Sequence, residues 1–324
     1  MNNSLKPLAL APMATLTHRG LRTLIDQWGG CDYFFSEMVD CKSYVGNRKF
    51  ESYYTDPAPH PDKLILQFVS ADHEEFVKAL TKAQDLPVAG FDINMGCSAH
   101  QICDHGAGIA WMSGPEEAWR LLESLRPLVR SGKTLSVKLR LGEKEDPAYL
   151  SRFCRGLEAV GVDFITLHPR TKKDKMGRPS RWTHLTELKA DLKIPLWGNG
   201  DIRDVKSSNR GWETGADGLM IGREAVRSPW IFHFLKEKEK NQNFTLQVDL
   251  QEQAHQFHRL LEAHQPQEFW PTRAQRFWDY YFDHFPFGHK VKENIKRMRV
   301  YEDIRQACFA YLDTHPQEMI KVLV

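Results

Sequence analysis

Short apolar runs rich in branched and aromatic residues recur along the chain at 8–11, 33–36, 64–69, 91–95, 135–139, 164–167, 195–197 and 218–221. Each is too short for a helix and reads as a buried strand. Between them, segments 19–27, 73–83, 115–129, 147–159, 185–190 and 205–213 carry apolar residues at helical spacing. Strands alternating with helices imply a parallel sheet, and eight such units imply a closed (β/α)₈ TIM barrel. An open doubly wound sheet is the competing α/β arrangement. It more often carries a Gly-rich loop after its first strand, where this chain has Ala11-Pro12-Met13-Ala14.

Past residue 241 the pattern changes. Helical stretches at 251–263, 273–282 and 290–312 are separated by breaks at Pro266, Pro271 and Pro286, with no convincing strand. The expected organisation is a barrel domain over 1–240 and a small all-helical domain over 247–324, joined by a linker at 239–246.

Composition narrows the class. The 324 residues, 41% hydrophobic and 27% charged, suit a soluble globular protein. No apolar run approaches the roughly 20 residues of a membrane span. Residues 1–7 hold no signal-peptide core, so a cytoplasmic protein is expected. Six scattered cysteines without a CxxC pair suit reduced thiols. Cys97 and Cys103 with His100 and His105 match no zinc-finger spacing, so no metal is expected. A net charge of +2 says little about partners, and basic patches have to be sought locally.

In a barrel, functional side chains collect where strands end. The strand ends here carry Pro12 and Met13, Glu37 and Met38, Gln67, Asn94 and Cys97, Lys138 and Arg140, His168 and Arg170, Asn199-Gly200-Asp201, and Gly222-Arg223. Any one of these alone is more simply a solvent-facing position. A closed barrel, however, has no strand edges and both its faces are covered, so the repetition favours a ligand site. The amides of Gln67 and Asn94 suit the imide edge of a heterocycle, and Lys138 suits negative charge developing on it. The glycine turns after the last two strands lie where barrels usually place a phosphate. A phosphorylated, electron-accepting ring such as FMN fits this set. Cys97, lifted out of its strand by Gly96, has the residue type of an acid, a nucleophile or a metal ligand, although a lone cysteine is more often a small buried hydrophobe.

Several short motifs occur together in order: Ala11-Pro12-Met13, Asn94-Met95-Gly96-Cys97 with Gly106-Ala107-Gly108, Ser136-Val137-Lys138-Leu139-Arg140-Leu141-Gly142, His168-Pro169-Arg170-Thr171, Gly198-Asn199-Gly200-Asp201-Ile202, and Gly215-Ala216-Asp217-Gly218-Leu219-Met220-Ile221-Gly222-Arg223. Through them the chain resembles the flavin-dependent tRNA-dihydrouridine synthases. The resemblance spans the barrel and continues more faintly into Ala274-Gln275-Arg276-Phe277-Trp278-Asp279-Tyr280-Tyr281, which looks like the family's basic and aromatic helix.

The resemblance implies that FMN, reduced by NADPH, passes hydride to C6 of a uracil base in tRNA while Cys97 protonates C5. It implies that Gln67, Asn94, Lys138 and His168 hold the ring, with Pro12 and Met13 beside it. Asn199, Gly200, Asp201, Gly222 and Arg223 would surround ribityl and phosphate, and Arg140 and Arg170 would face the substrate. The chain departs from the usual pattern at Ser98, where proline follows the cysteine, at Glu224 and Arg227, where glycines are usual, and at His18, where aspartate is common.

Two basic clusters bear on RNA. One holds Arg170, Lys172, Lys173, Lys175, Arg178 and Arg181 against Asp174; the other holds Lys290, Lys292, Lys296, Arg297 and Arg299 against Glu293. In an arbitrary protein such clusters are solvated surface, but beside a flavin pocket phosphate contact explains the first better. Lys172, Lys173, Lys175 and Arg276 are the expected RNA contacts, and a monomer is expected. The competing functions are a non-catalytic RNA-binding relative and a flavin barrel acting on a free pyrimidine.

Overall fold

The computed structural model describes residues 6–174 and 177–324. Eight strands, β1 (Leu8–Leu10), β2 (Tyr33–Asp40), β3 (Leu64–Val69), β4 (Gly90–Met95), β5 (Thr134–Leu139), β6 (Phe164–Leu167), β7 (Leu196–Asn199) and β8 (Gly218–Ile221), close into a barrel in sequence order. Every neighbouring pair is parallel, and β8 returns to β1.

Successive side chains on a strand point to opposite faces, so inward positions are every second residue. Along the chain direction these run from apolar to polar: Ile65 to Gln67 on β3, Phe164 to Thr166 and then His168 on β6, Trp197 to Asn199 on β7. The apolar layer of Ala9, Ala11, Phe35, Ile65, Phe164, Trp197 and Met220 is a buried cluster. Trp197 lies on Phe164 with ring centroids 4.4 Å apart. Gly218 makes room for it, since a Cβ there would stand 2.8 Å from the indole. This layer plugs the barrel and leaves the polar layer at the strands' C-terminal ends.

The chain forms two compact units. The barrel, through Pro12 and again Asp32–Ile221, is the first; Met13–Cys31 and Gly222–Val324 form the second. The expected division between 240 and 247 therefore falls within the second unit. Helix Arg19–Asp26 joins that unit because its apolar face, Leu21, Leu24 and Ile25, is buried and its Gly20 packs closely: a Cβ there would lie 2.9 Å from the Leu260 carbonyl oxygen on helix Leu250–His264. Trp28 Nε1 also donates to Gln253 Oε1 at 2.8 Å.

Two details of this unit differ from the sequence expectation. The helix expected at 290–312 is two, Gly288–Ile295 and Tyr301–Thr314. Gln275 Nε2 donates to the carbonyls of Ile295 at 2.8 Å and Met298 at 2.7 Å, occupying acceptors that a continuous helix would use itself. The unit is also not all helical: β9 (Leu246–Asp249) pairs antiparallel with β10 (Ile320–Leu323). Four-residue strands give too short an alternation to stand out in sequence. Among the described residues, no helix is long and apolar enough to cross a membrane.

Candidate active site

The polar layer of the barrel holds a hydrogen-bonded chain. Ser136 Oγ donates to Asp92 Oδ1 at 2.6 Å, and Gln67 Nε2 donates to Asp92 Oδ2 at 2.7 Å. Asn94 Nδ2 donates to Gln67 Oε1 at 2.8 Å. Asn94 Oδ1 in turn accepts the backbone N–H of Gly96 at 3.2 Å and of Cys97 at 2.9 Å. The strand register makes this possible, because Gln67 lies beside Asp92 and Asp92 beside Ser136.

The Asn94 contacts curl the chain after β4 and present Cys97, the one cysteine of six that is not buried. On the far side of the turn, Ile109 N donates to the Cys97 carbonyl at 3.0 Å. Gly108 sits at φ +61°, and a Cβ there would approach that carbonyl to 2.6 Å. The turn is thus tied on both sides with Ser98 in place of a proline. Cys103 is buried beneath it, its Sγ directed to Ser98 O at 3.8 Å and Asp104 Oδ1 at 3.5 Å.

Lys138, beside Asn94 in the register, is half-buried. Among the described residues its ammonium makes no hydrogen bond or ion pair. Burial, then the charge of Arg140, lower its pKa to about 8, with Asp92 and Cys97 acting the other way. Burial raises Asp92 to about 6 against the hydrogen bonds of Ser136 and Gln67 and the charge of Lys138.

Across the barrel a second network ties β6 to β7. Arg170 is buried; its Nη2 donates to Asp201 Oδ1 at 2.8 Å and Oδ2 at 2.7 Å, and its Nε to Arg178 O at 2.7 Å. Arg170 Nη1 lies 2.8 Å from His168 Nε2. A guanidinium only donates, so Nε2 accepts and the ring proton lies on Nδ1. Burial pushes Asp201 up, but the bonds from Arg170 and from Ser180 N–H outweigh it and hold the carboxyl below its ordinary value. Gly200, at φ +131°, has no room for a Cβ, which would lie 2.3 Å from Ser180 Oγ and 2.9 Å from His168 Cδ2. Asn199 Nδ2 donates to Met220 O at 2.7 Å.

The barrel thus brings Asn94, Cys97, Lys138, Arg140, His168 and the Asn199-Gly200-Asp201 turn to its C-terminal end. Gln67 is fully buried and hydrogen-bonds Asp92 and Asn94, and Arg170 is buried against His168 and Asp201. A polar strand-end residue can serve another side chain as well as a ligand. Asp92 and Ser136 are the residues that sequence reading passes over; an acid inside the apolar run 91–95 is the signal that marks them.

Pro12 is half-buried at the end of β1. Of the loop lysines, Lys172 Nζ is 3.1 Å from Glu143, Lys173 is exposed, and Lys175 lies outside the described residues. In the second unit Met13, Gly222 and Arg223 are half-buried, and exposed Arg276 lies over the Tyr280 ring at 6.0 Å. Phe277, Trp278 and Tyr281 are core, with Phe277 stacked on Phe257 at 3.6 Å. Glu224 is buried there, accepting from Ser228 Oγ at 2.8 Å and pairing with Arg227 Nη2 at 3.1 Å. Two departures from the family pattern therefore compensate each other. A further departure, His18, is buried; burial and then the charges of Arg273 and Arg22 push its pKa well below the ordinary imidazole value.

Comparison with known proteins decides the family. The dihydrouridine synthase family profile matches residues 9–313. The chain belongs to the dihydrouridine synthase family. It is an oxidoreductase. A "Probable tRNA-dihydrouridine synthase" of Helicobacter pylori is 36% identical over 70% of this chain and 69% of its own. The "tRNA-dihydrouridine synthase B" of Xanthomonas axonopodis is 33% identical over 71% of this chain and 70% of its own. The mouse "tRNA-dihydrouridine(20a/20b) synthase [NAD(P)+]-like" is 31% identical over 68% of each chain. Among solved structures, one described as TcOYE with pHBA superposes with a TM-score of 0.52 at 10% identity, covering 72% of this chain and 89% of that one, which bears on the fold alone.

Proposed function

We propose that this protein uses FMN, with NADPH as reductant, to convert uridine in tRNA to 5,6-dihydrouridine. The observation that carries the reading is the pairing of a presented thiol, Cys97, with a half-buried ammonium, Lys138, that makes no hydrogen bond or ion pair among the described residues. That donor set fits an electron-accepting ring, because the ammonium, an Asn94 N–H and His168 Nδ1 can all meet its electron-rich edge. Gly200, at a φ of +131° and packed against Ser180 and His168, fixes the Asn199-Gly200-Asp201 turn at the strand end beside His168. FMN, when bound and reduced, supplies the hydride that reaches C6 of uracil.

The chain's residues do the rest. A base leaves its stack to reach such a cavity, and Arg140 at the rim suits its carbonyl edge. Hydride at C6 leaves enolate character at C5, and Cys97 Sγ delivers the proton there as general acid. Lys173 and Arg276, both exposed, are of the type that meets RNA phosphate. The mutual pairing of Glu224 and Arg227 supports the catalytic reading over a relative that has lost its chemistry.

The test is purification followed by spectroscopy and half-reactions. The protein should carry bound FMN, and Cys97→Ala should keep FMN and its reduction by NADPH while slowing tRNA-dependent reoxidation by roughly 10²- to 10⁴-fold, the range of a lost general acid. Colourless protein that cannot be reconstituted with FMN, or full turnover by Cys97→Ala, would contradict the reading.

A further inference from the structure

We propose that Asp92 is a positioning residue for the proton donor: by fixing the direction of the Gln67–Asn94 amide relay, it sets the aim of the Cys97 loop. The inference rests on the function proposed above and adds a residue to its machinery.

The relay has one possible direction because both of its ends are fixed. At one end, the backbone N–H groups of Gly96 and Cys97 can only donate, so Asn94 must turn Oδ1 toward them. Its Nδ2 then donates to Gln67 Oε1, and Gln67 must direct Nε2 onward. At the other end stands Asp92, whose carboxylate can only accept, and which also accepts from Ser136 Oγ. Each amide is thus locked against the flip that would point two like groups at each other. A side chain lacking an acceptor at position 92 would leave Gln67 Nε2 without a partner in a fully buried place, where an unmade hydrogen bond is costly. Flipping Gln67 would then set its amino group against Asn94 Nδ2. The conflict is relieved only if Asn94 releases the N–H groups that curl the Cys97 turn.

Burying a carboxylate is expensive, and the plug beneath shows that apolar residues fill this barrel readily. An acceptor at position 92 is therefore explained by what it orients. Protonation of Asp92 leaves its carbonyl oxygen free to accept from Gln67, so the relay does not depend on the charge. Asparagine at 92 would preserve it, with Oδ1 toward Gln67 and Nδ2 toward Ser136 Oγ.

The test compares Asp92→Ala, Asp92→Asn, Gln67→Met and Cys97→Ala in the full-length flavin-loaded protein. Three rates are read: flavin reduction by NADPH, reoxidation by unmodified tRNA, and alkylation of Cys97 by iodoacetamide, which the five buried cysteines escape. Asp92→Ala should slow reoxidation roughly 10- to 100-fold, as misplacing a reacting group does, while reduction changes less than about threefold. Its Cys97 alkylation rate should shift several-fold, Asp92→Asn should restore both, and the Asp92→Ala/Cys97→Ala double variant should be no slower than Cys97→Ala. If Asp92→Ala does not fold, Gln67→Met, which breaks the next link, should give the same split between half-reactions. Equal slowing of both half-reactions, losses that multiply in the double variant, or unchanged alkylation would overturn the proposal. Should the unmutated protein form no dihydrouridine, the functional reading falls, and the alkylation rates alone then decide the relay.

Discussion

Gly108 shows how much of the site depends on single backbone positions. At φ +61° an alanine pays about 1 kcal/mol for the left-handed conformation, and its Cβ would press on the Cys97 carbonyl at 2.6 Å. Gly132, at φ +87° with nothing within 4 Å of its Cβ position, is the matched control. Gly132→Ala should lower stability by about 1 kcal/mol in urea denaturation and Gly108→Ala by more, because of its clash, and only Gly108→Ala should also slow tRNA-dependent turnover; equal activity in the two would show that the turn does not aim the thiol. Lys138 gives a residue-scale pH dependence. Its pKa of about 8 in the folded protein means that the ammonium is lost as pH rises through that value. FMN affinity should fall between pH 7 and 9, and Lys138→Met should remove this limb. Stability should move the opposite way, because an unfolded lysine stays protonated to about pH 10 and binds more protons than the folded one above pH 8. Fluorescence titration with FMN and urea denaturation at both pH values would measure the two trends.

At the scale of elements, the second unit is built around histidines that must be neutral. His258 Nε2 accepts from Trp278 Nε1 at 3.0 Å, and its Nδ1 is 2.7 Å from the Tyr301 hydroxyl, which donates to Glu262 at 2.5 Å. His284 lies between Lys321 Nζ at 2.9 Å and the Arg227 carbonyl at 2.7 Å. Burial above all lowers both histidines to about 3. Between that value and 6.5 the unfolded chain binds protons that the folded unit refuses, so stability rises with pH there and is lost on acidification. Urea midpoints should fall steadily from pH 6.5 to 4, with His258 contributing up to about 1.4 kcal/mol per pH unit. His258→Gln should flatten the slope by about one proton; an unchanged slope would place the proton uptake elsewhere. Element positions were largely legible beforehand. The strands at 64–69, 164–167 and 218–221 and the helices at 73–83, 147–159 and 205–213 lie as expected. The split helix after Ile295 was not legible, because it depends on a side chain, Gln275, twenty residues upstream of that carbonyl.

For the whole molecule, closure of the barrel followed from eight short runs alternating with helices, and the polar strand-end residues gather at one end of it. The roles within the site were harder to read, because burial decides whether a polar strand-end residue meets a ligand or another side chain. Arg170 and Gln67 turned out to support their neighbours, and Asp92 was passed over. The RNA surface follows the same logic of prior commitments. Lys172 is already paired with Glu143 while Lys173 is exposed, so Lys173→Ala should weaken tRNA binding more than Lys172→Ala and lower the salt slope by about one. Equal effects at every salt concentration would return the loop to ordinary solvated surface. The central claim, uridine reduction at this barrel, is tested most directly by mixing FMN-loaded, NADPH-reduced protein with unmodified tRNA under anaerobic conditions and weighing the digested RNA. The account predicts fragments heavier by the two hydrogens of dihydrouridine, formed by the unmutated protein and suppressed in Cys97→Ala. Fragments of unchanged mass, with the reduced flavin still reduced after mixing, would contradict it.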